Sequence, residues 1–159
     1  MKKNILIIIA LVIIDQIIKM AIVNTIGISG ESITLIPNIL SLTYVQNIGA
    51  AFGLMMSQIF LIGVDLMIII VVAKLLASKK YNFEKNAKLG MTLIIAGGIG
   101  NLIDRVFRGY VVDYIDISEL FNYPVFNFAD ICIVVGVILV MAIIIINTIK
   151  SQENINEKI

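Results

Sequence analysis

The sequence has no histidine, no tryptophan and a single cysteine, Cys132. Without histidine, the chain cannot build a Ser-His-Asp or Cys-His catalytic centre or a histidine-ligated zinc site. One cysteine excludes an intramolecular disulfide, and with no imidazole to activate its thiol, core packing explains Cys132 better than nucleophilic catalysis. Any acid–base chemistry must therefore come from carboxylates, lysines or tyrosines.

Charge is also scarce, since only 14% of the 159 residues are charged and 60% are hydrophobic. Typical soluble domains are about 45–50% apolar and about 25% charged. A soluble chain of this length could not bury so much apolar surface, so the composition indicates an integral membrane protein. The formal net charge is +1, and no basic patch with interleaved aromatic residues suggests nucleic acid as a partner.

Four apolar runs are long enough to cross a bilayer as helices, at about residues 4–24, 58–77, 89–106 and 126–148. The first run follows a basic N-terminus, as in a signal peptide. Its length, Asp15, Lys19 and the lack of a clear small-x-small cleavage site favour a retained span instead. We expect one four-helix membrane domain over residues 1–150 and a short cytoplasmic tail over residues 151–159.

The connecting segments predict the orientation of these spans. Lysines lie in the N-terminus, the 78–88 loop and the tail, whereas the 25–57 and 106–125 loops contain only one cation, Arg108. The positive-inside rule then makes both termini cytoplasmic. Ser32–Tyr44 mixes β-branched and polar residues around Pro37, which favours short strands at the interface. The predicted fold is all-α and integral to the membrane, with four transmembrane helices, N-in/C-in, and a small interfacial β structure outside.

This topology gathers polar side chains at one depth, near the outer boundary. Along the third span, which rises about 1.5 Å per residue, Asn101, Asp104 and Arg105 are spaced i, i+3 and i+4 and are expected to share one helix face. Ionisable groups inside a membrane are costly, at about 2.5–3.5 kcal/mol each on insertion scales, so their convergence indicates a functional site. The gathered residues are Asn47, Asn101, Asp104, Arg105, Asp113, Asn127 and Asp130.

Asp113 and Asp130 lie at the end of one apolar run and the start of the next. Two carboxylates that meet in a poorly solvated site would share a proton. One could then act as base on a water molecule while its protonated partner polarises a carbonyl group. Spacing alone leaves open whether the two aspartates form such a dyad or serve as structural caps.

The other charged residues of the spans have plainer interpretations. Asp15 and Lys19 are an i, i+4 pair in the favourable acid-first order, so structural pairing is favoured. Asp104 and Arg105, adjacent near a helix end, suit a structural charge cluster as well as a catalytic role. Asp65 has no obvious partner in the sequence and is interpreted as an exposed or locally paired group.

Five blocks of the chain resemble the lipoprotein signal peptidases (signal peptidase II) of bacteria, in the order of that family. The blocks are Asp15–Lys19 (DQIIK), Asn47–Gly53 (NIGAAFG), Gly100–Arg105 (GNLIDR), Gly109–Tyr114 (GYVVDY) and Phe126–Asp130 (FNFAD). The resemblance implies an intramembrane aspartyl endopeptidase of the bacterial cell membrane whose active site faces outward. Its substrates would be diacylglyceryl-modified prolipoproteins, cleaved just before the lipid-bearing cysteine.

The resemblance also implies roles for single residues. Asp113 and Asp130 match the catalytic aspartates. Asp15 and Asp104 are expected to support the site, and Ser32–Tyr44 matches a small interfacial β-cradle. The family needs neither metal nor organic cofactor, and its partners are prolipoprotein signal peptides and membrane lipids. The residues expected to bind the substrate, or peptide inhibitors such as globomycin, are Asn47, Asn101, Arg105 and Asn127.

Two other classes of protein are alternatives to the peptidase. A small transporter could use Asp104, Asp113 and Asp130 as a proton relay. It predicts internal repeats with discontinuous spans near the midplane, but the halves show no repeat and the acids gather at one boundary. A non-enzymatic assembly factor built on the glycine-rich third span would not need paired carboxylates.

Overall fold

The computed structural model describes residues 2–49, 57–78, 80 and 83–156. Its four helices have the length and apolarity to cross a membrane, which confirms the four predicted spans. The helices are α1 (Lys2–Ser29), α2 (Gln58–Ala77), α3 (Lys85–Arg108) and α4 (Phe128–Asn156). The strands are β1 (Ile33–Ile36), β2 (Leu40–Asn47) and β3 (Val111–Asp116). Residues 50–53 of the expected Asn47–Gly53 block lie outside the described residues.

Most helix ends differ from the expected bounds, although α2 covers the predicted residues 58–77. The third helix continues to Arg108 and ends where Gly109 takes a left-handed φ of 79°, a conformation that glycine adopts without strain. The last helix continues to Asn156, so most of the expected tail is helical.

The three strands form one antiparallel sheet in the order β1-β2-β3. The first two confirm the strands predicted within Ser32–Tyr44. The third was expected to be part of a polar loop, and that expectation was wrong. Its sequence, VVDYID, mixes β-branched and aromatic residues, and it pairs with β2 so that Val45 lies opposite Asp113. Asp113 therefore stands on a buried strand with a fixed register.

The central helix of the bundle is α3, which packs against the other three helices. In its membrane-length window 61% of the residues are buried, against at most 17% in the other helices. Where α3 crosses α4, a Cβ atom on Gly90 would lie 2.7 Å from the carbonyl oxygen of Gly136, and one on Gly136 would lie 2.6 Å from that of Gly90. The two backbones are thus in direct contact, as small residues permit in membranes.

Candidate active site

Asn127, at the N-terminus of α4, contacts both of the aspartates singled out from the sequence. Its side-chain Oδ1 accepts a hydrogen bond from the backbone N–H of Asp130 (3.0 Å), and its own backbone N–H donates to Asp130 Oδ2 (3.1 Å). This reciprocal pattern at i, i+3 is that of a capping box. The Asn127 Nδ2 group also donates to Asp113 Oδ1 (2.6 Å). One asparagine therefore joins the two carboxylates across β3 and α4.

Asp113 is 2% exposed on β3. Its second oxygen, Oδ2, accepts a hydrogen bond of 2.8 Å from Asn47 Nδ2 on the neighbouring strand β2. Burial raises the pKa of Asp113 to about 6, and the nearby charge of Asp130 acts in the same direction. Hydrogen bonds from Asn47 and Asn127 oppose this rise, because they favour the ionised carboxylate. The Asp113 carboxyl group thus keeps its proton at pH values at which an ordinary aspartate is ionised.

Asp130 is held from the other side by Asn101 on α3. The Asn101 Nδ2 group donates to Asp130 Oδ1 (2.7 Å), while Asn101 Oδ1 accepts from Lys19 Nζ (2.9 Å) and from Asn127 Nδ2 (3.2 Å). A lysine ammonium can only donate, so it requires the amide oxygen of Asn101 on its side. The amide nitrogen must then face Asp130, which fixes the direction of that hydrogen bond.

Behind these residues lies a buried lysine cluster, which consists of Lys19, Asp15, Asp104 and Asn101. The Lys19 side chain is 0% exposed, and its Nζ lies 3.0 Å from Asp15 Oδ2, 2.9 Å from Asp104 Oδ2 and 2.9 Å from Asn101 Oδ1. Three acceptors match the three donors of an ammonium group. The predicted Asp15–Lys19 pair is confirmed. The contact of Lys19 with Asn101 was not predicted, because the sequence gives no sign of which distant helix a buried lysine meets.

The two carboxylates of the buried lysine cluster also bind the backbone on either side of the site. Asp15 Oδ1 accepts a hydrogen bond from the N–H of Ala129, next to Asp130 (3.2 Å). Asp104 Oδ2 accepts one from the N–H of Val112, next to Asp113 (3.1 Å). The supporting roles expected of Asp15 and Asp104 thus have a geometric basis, since each holds a backbone segment that carries one of the two aspartates.

Arg105 leaves α3 in a different direction from its neighbour Asp104. Its Nη1 group lies 2.8 Å from Asp65 Oδ2 on α2. The expectation that Asn101, Asp104 and Arg105 serve one face therefore needs correction: the first two meet α1, whereas Arg105 meets α2. Adjacent helical residues differ by about 100° in direction, because there are 3.6 residues per turn. Asp65 has a partner 40 residues away, which local sequence reasoning could not find.

Four of the expected site residues line a cleft of about 290 Å³ at the sheet end of the bundle: Asn47, Arg105, Asp113 and Asp130. Most of the other lining residues are apolar: Tyr123, Pro124, Val125, Phe126, Ile133 and Val134. A cleft that combines carboxylates with apolar side chains suits an extended peptide. Among the described residues, no group of three or more Cys, Asp or Glu side chains is arranged to hold a metal ion.

Asn101 and Asn127, expected to bind substrate, lie behind the carboxylates and are 5% and 0% exposed. Their side chains form hydrogen bonds with Asp113, Asp130 and Lys19. In the structure both asparagines are therefore placed to hold the two carboxylates in position. Tyr114 on β3 is buried, and its hydroxyl accepts a hydrogen bond from the N–H of Phe128 at the start of α4 (3.2 Å).

An apolar four-helix bundle with two linked aspartates in a cleft at one end indicates a class of protein, a membrane protein with a paired-carboxylate site. Comparison with known families gives the particular family. Residues 7–146 match the family model described as signal peptidase (SPase) II. The chain belongs to the signal peptidase II family and is a membrane peptidase, as the five sequence blocks had indicated.

Individual relatives agree with this assignment. The lipoprotein signal peptidase of Streptococcus pneumoniae is 41% identical over 157 residues, which cover 98% of this chain and 99% of that protein. The lipoprotein signal peptidase of Lactiplantibacillus plantarum is 42% identical over 136 residues, covering 84% and 87% of the two chains. A solved bacterial membrane enzyme structure, 35% identical, has a TM-score of 0.78 and covers 97% of this chain and 92% of its own. A second has a TM-score of 0.80 at 35% identity, covering 91% and 93%.

Proposed function

We propose that this protein is an aspartyl endopeptidase that removes the signal peptide from diacylglyceryl-modified prolipoproteins. Cleavage would fall just before the lipidated cysteine. The observation that carries the proposal is the link made by Asn127, which holds Asp113 through its side chain and Asp130 through its backbone at one cleft. The substrate class is supported by the relatives, which are lipoprotein signal peptidases.

In the proposed chemistry Asp113 and Asp130 share one proton. The ionised partner takes a proton from a water molecule as the water oxygen attacks the scissile carbonyl carbon, and the protonated partner donates to the carbonyl oxygen. When the resulting tetrahedral intermediate breaks down, the leaving amine takes a proton from the pair. The raised pKa of Asp113 supports this reading, because a carboxyl group must keep its proton to act as the donor.

The substrate's apolar signal helix would lie along the side of α3 and α4 that faces α2. Ile133 and Val134 of α4 line the cleft. Farther along α4, Val140 and Ile144 line a larger cavity of about 860 Å³, together with residues of α2 and α3 such as Val72. The two spaces share α4 and α3 as walls, so a helix seated there would carry its C-terminal end to the carboxylates.

The orientation in the membrane follows from charge. The N-terminal ends of α1 and α3, with Lys2, Lys3, Lys85 and Lys88, lie at the end of the bundle away from the sheet, and the positive-inside rule would place that end in the cytoplasm. The cleft would then open at the outer face of the bacterial cell membrane, where the acyl chains of the substrate lie in the outer leaflet. Peptide inhibitors of the globomycin type would occupy the same cleft and compete with the substrate.

The proposal is tested with the purified protein and two forms of one precursor, the first lipid-modified and the second carrying serine in place of the lipid-accepting cysteine. Mass spectrometry should find cleavage of the lipid-modified form alone, with the new N-terminus at the lipidated cysteine. Equal cleavage of the serine form, or a cut elsewhere, would contradict the substrate assignment. A chelator should leave the rate unchanged, and activity lost to it and restored by a divalent metal would indicate a metallohydrolase.

A further inference from the structure

Asp65 is the charged residue that neither the sequence motifs nor the proposed chemistry explains. It is the only acidic residue of α2, and it lies at the eighth position of that apolar helix. An ionised carboxylate within a membrane span is costly unless it has a partner or a function. Its side chain is 19% exposed, so it is neither sealed in a core nor freely solvated.

The partner of Asp65 is a residue of the cleft. Asp65 Oδ2 lies 2.8 Å from Arg105 Nη1, and this charge-assisted hydrogen bond ties α2 to α3. Arg105 lines the cleft together with Asp113 and Asp130. The arginine therefore contacts the carboxylate of Asp65 on α2 and shares the cleft with the aspartates proposed to perform the reaction.

A guanidinium group is planar and carries five N–H donors in a fixed geometry. A hydrogen bond at Nη1 to Asp65 fixes the plane of the group and leaves other donors available to a peptide in the cleft. Without Asp65, the carboxylates that remain beside Arg105 in the lining of the cleft are those of Asp113 and Asp130. Pairing with Asp130 would close the cleft and remove the donors from the substrate.

We propose that Asp65 is a positioning residue that holds the Arg105 guanidinium at the α2 wall of the cleft. In this position Arg105 stays clear of Asp130 and directs its free N–H groups toward backbone carbonyls of the bound signal peptide. The proposal rests on the peptidase function above. It adds a determinant on α2, outside all five sequence blocks.

The test compares steady-state kinetics of Asp65→Asn, Arg105→Gln and the double variant on the lipid-modified precursor. Asp65→Asn should raise KM about tenfold with a smaller change in kcat, because a free enzyme whose arginine occupies the cleft competes with substrate binding. Asp65→Glu, which keeps the charge, should recover part of the loss. In Arg105→Gln, adding Asp65→Asn should change little, since a residue that acts only through Arg105 has nothing left to position. Lys74→Gln, which neutralises the other charge of α2, is the matched control and should leave KM unchanged.

Additive losses in the double variant, or an unchanged KM in Asp65→Asn at the wild-type melting temperature, would overturn the proposal. If Asp65→Asn folds poorly, Asp65→Glu decides instead, since a purely structural charge pair would leave its KM at the wild-type value. Including Asp113→Asn in the assay separates the two proposals. Cleavage by that variant would refute the peptidase mechanism, whereas its inactivity beside a normal Asp65→Asn would refute only the positioning role.

Discussion

Asp104 and Arg105 are neighbours on α3, yet they belong to two differently built regions. Asp104 belongs to the buried lysine cluster, in which the Lys19 side chain is 0% exposed and its ammonium group contacts three acceptors. Arg105 faces the cleft, which is open and lined by Asp113 and Asp130. An ammonium group with all three donors bonded suits a region that only has to stay in place. The carboxylates that face a cleft are the ones that a substrate and water can reach.

The buried lysine cluster nevertheless matters for the cleft, because it determines where the cleft's carboxylates stand. Its anions hold the N–H groups of Ala129 and Val112, and its asparagine holds Asp130. Replacing a whole buried ion cluster with apolar groups is often neutral for stability, whereas removing a single partner is strongly destabilising. Changes on the two sides of α3 should therefore have different signatures.

A change in the buried lysine cluster should give the largest loss of stability. Lys19→Met leaves Asp15 buried without its cation and Asp104 with only the partly exposed Arg108 (3.2 Å), so we expect a loss of about 3–5 kcal/mol in the free energy of unfolding. Denaturation in detergent measures it, with the exposed Lys74→Gln as control. Adding Asp15→Asn should recover part of the loss, because it removes the carboxylate that has lost its cation. A loss below about 1 kcal/mol for Lys19→Met would contradict the account of the cluster.

A change at the junction of the two regions should affect both properties. Asn127→Ala removes the N-cap of α4, which is typically worth about 1 kcal/mol, and it removes the side-chain hydrogen bonds to the Asp113 carboxylate and the Asp130 N–H, while its backbone N–H can still donate to Asp130 Oδ2. We expect a modest fall in melting temperature with at least about a tenfold fall in kcat, since the carboxylates lose their alignment. Asn122→Ala, at an exposed position in the preceding loop, is the control. Full activity in Asn127→Ala would contradict the claim that this asparagine aligns the two carboxylates.

A change in the lining of the cleft should shift the pH dependence of the activity and leave the stability of the fold nearly unchanged. The hydrogen bond from Asn47 favours ionised Asp113, so Asn47→Ala should raise its pKa further above about 6. If the singly protonated pair is the active form, kcat/KM falls as pH rises through the upper pKa of the pair. The pH at which kcat/KM falls should therefore increase in Asn47→Ala. A lost hydrogen bond of about 1.4 kcal/mol corresponds to a shift of about one pH unit. Gln46→Ala on the same strand should leave the profile unchanged, and a shift to lower pH would contradict the assigned direction.

The overall fold was largely predictable, because membrane spans are encoded by the length and composition of each segment alone. The α2 bounds and the close packing of glycines on α3 follow from local sequence. Strand β3 was missed, although its VVDYID sequence carries a β signal, because a short strand between two spans is easily taken for a loop. Its strand character becomes clear only when β2 is available as a partner.

The candidate site was predictable in its members but not in its connections. Asp113 and Asp130 were singled out by their place beside the spans and by the family motifs. That Lys19 orients Asn101, or that Asp65 binds Arg105, depends on contacts between distant helices that no local pattern records. Helix spacing also grouped Asp104 with Arg105, whereas adjacent residues on a central helix meet different neighbours.

The most direct test of the account is the initial rate of cleavage of a lipid-modified prolipoprotein by Asp113→Asn and by Asp130→Asn. General acid–base catalysis typically contributes about 10²–10⁴-fold, and each aspartate is proposed to be indispensable to the shared proton, so each variant should lose at least about a thousandfold in rate. Both should keep a melting temperature near that of the wild type. Cleavage within tenfold of the wild-type rate by either folded variant would contradict the claim that these two carboxylates carry the reaction.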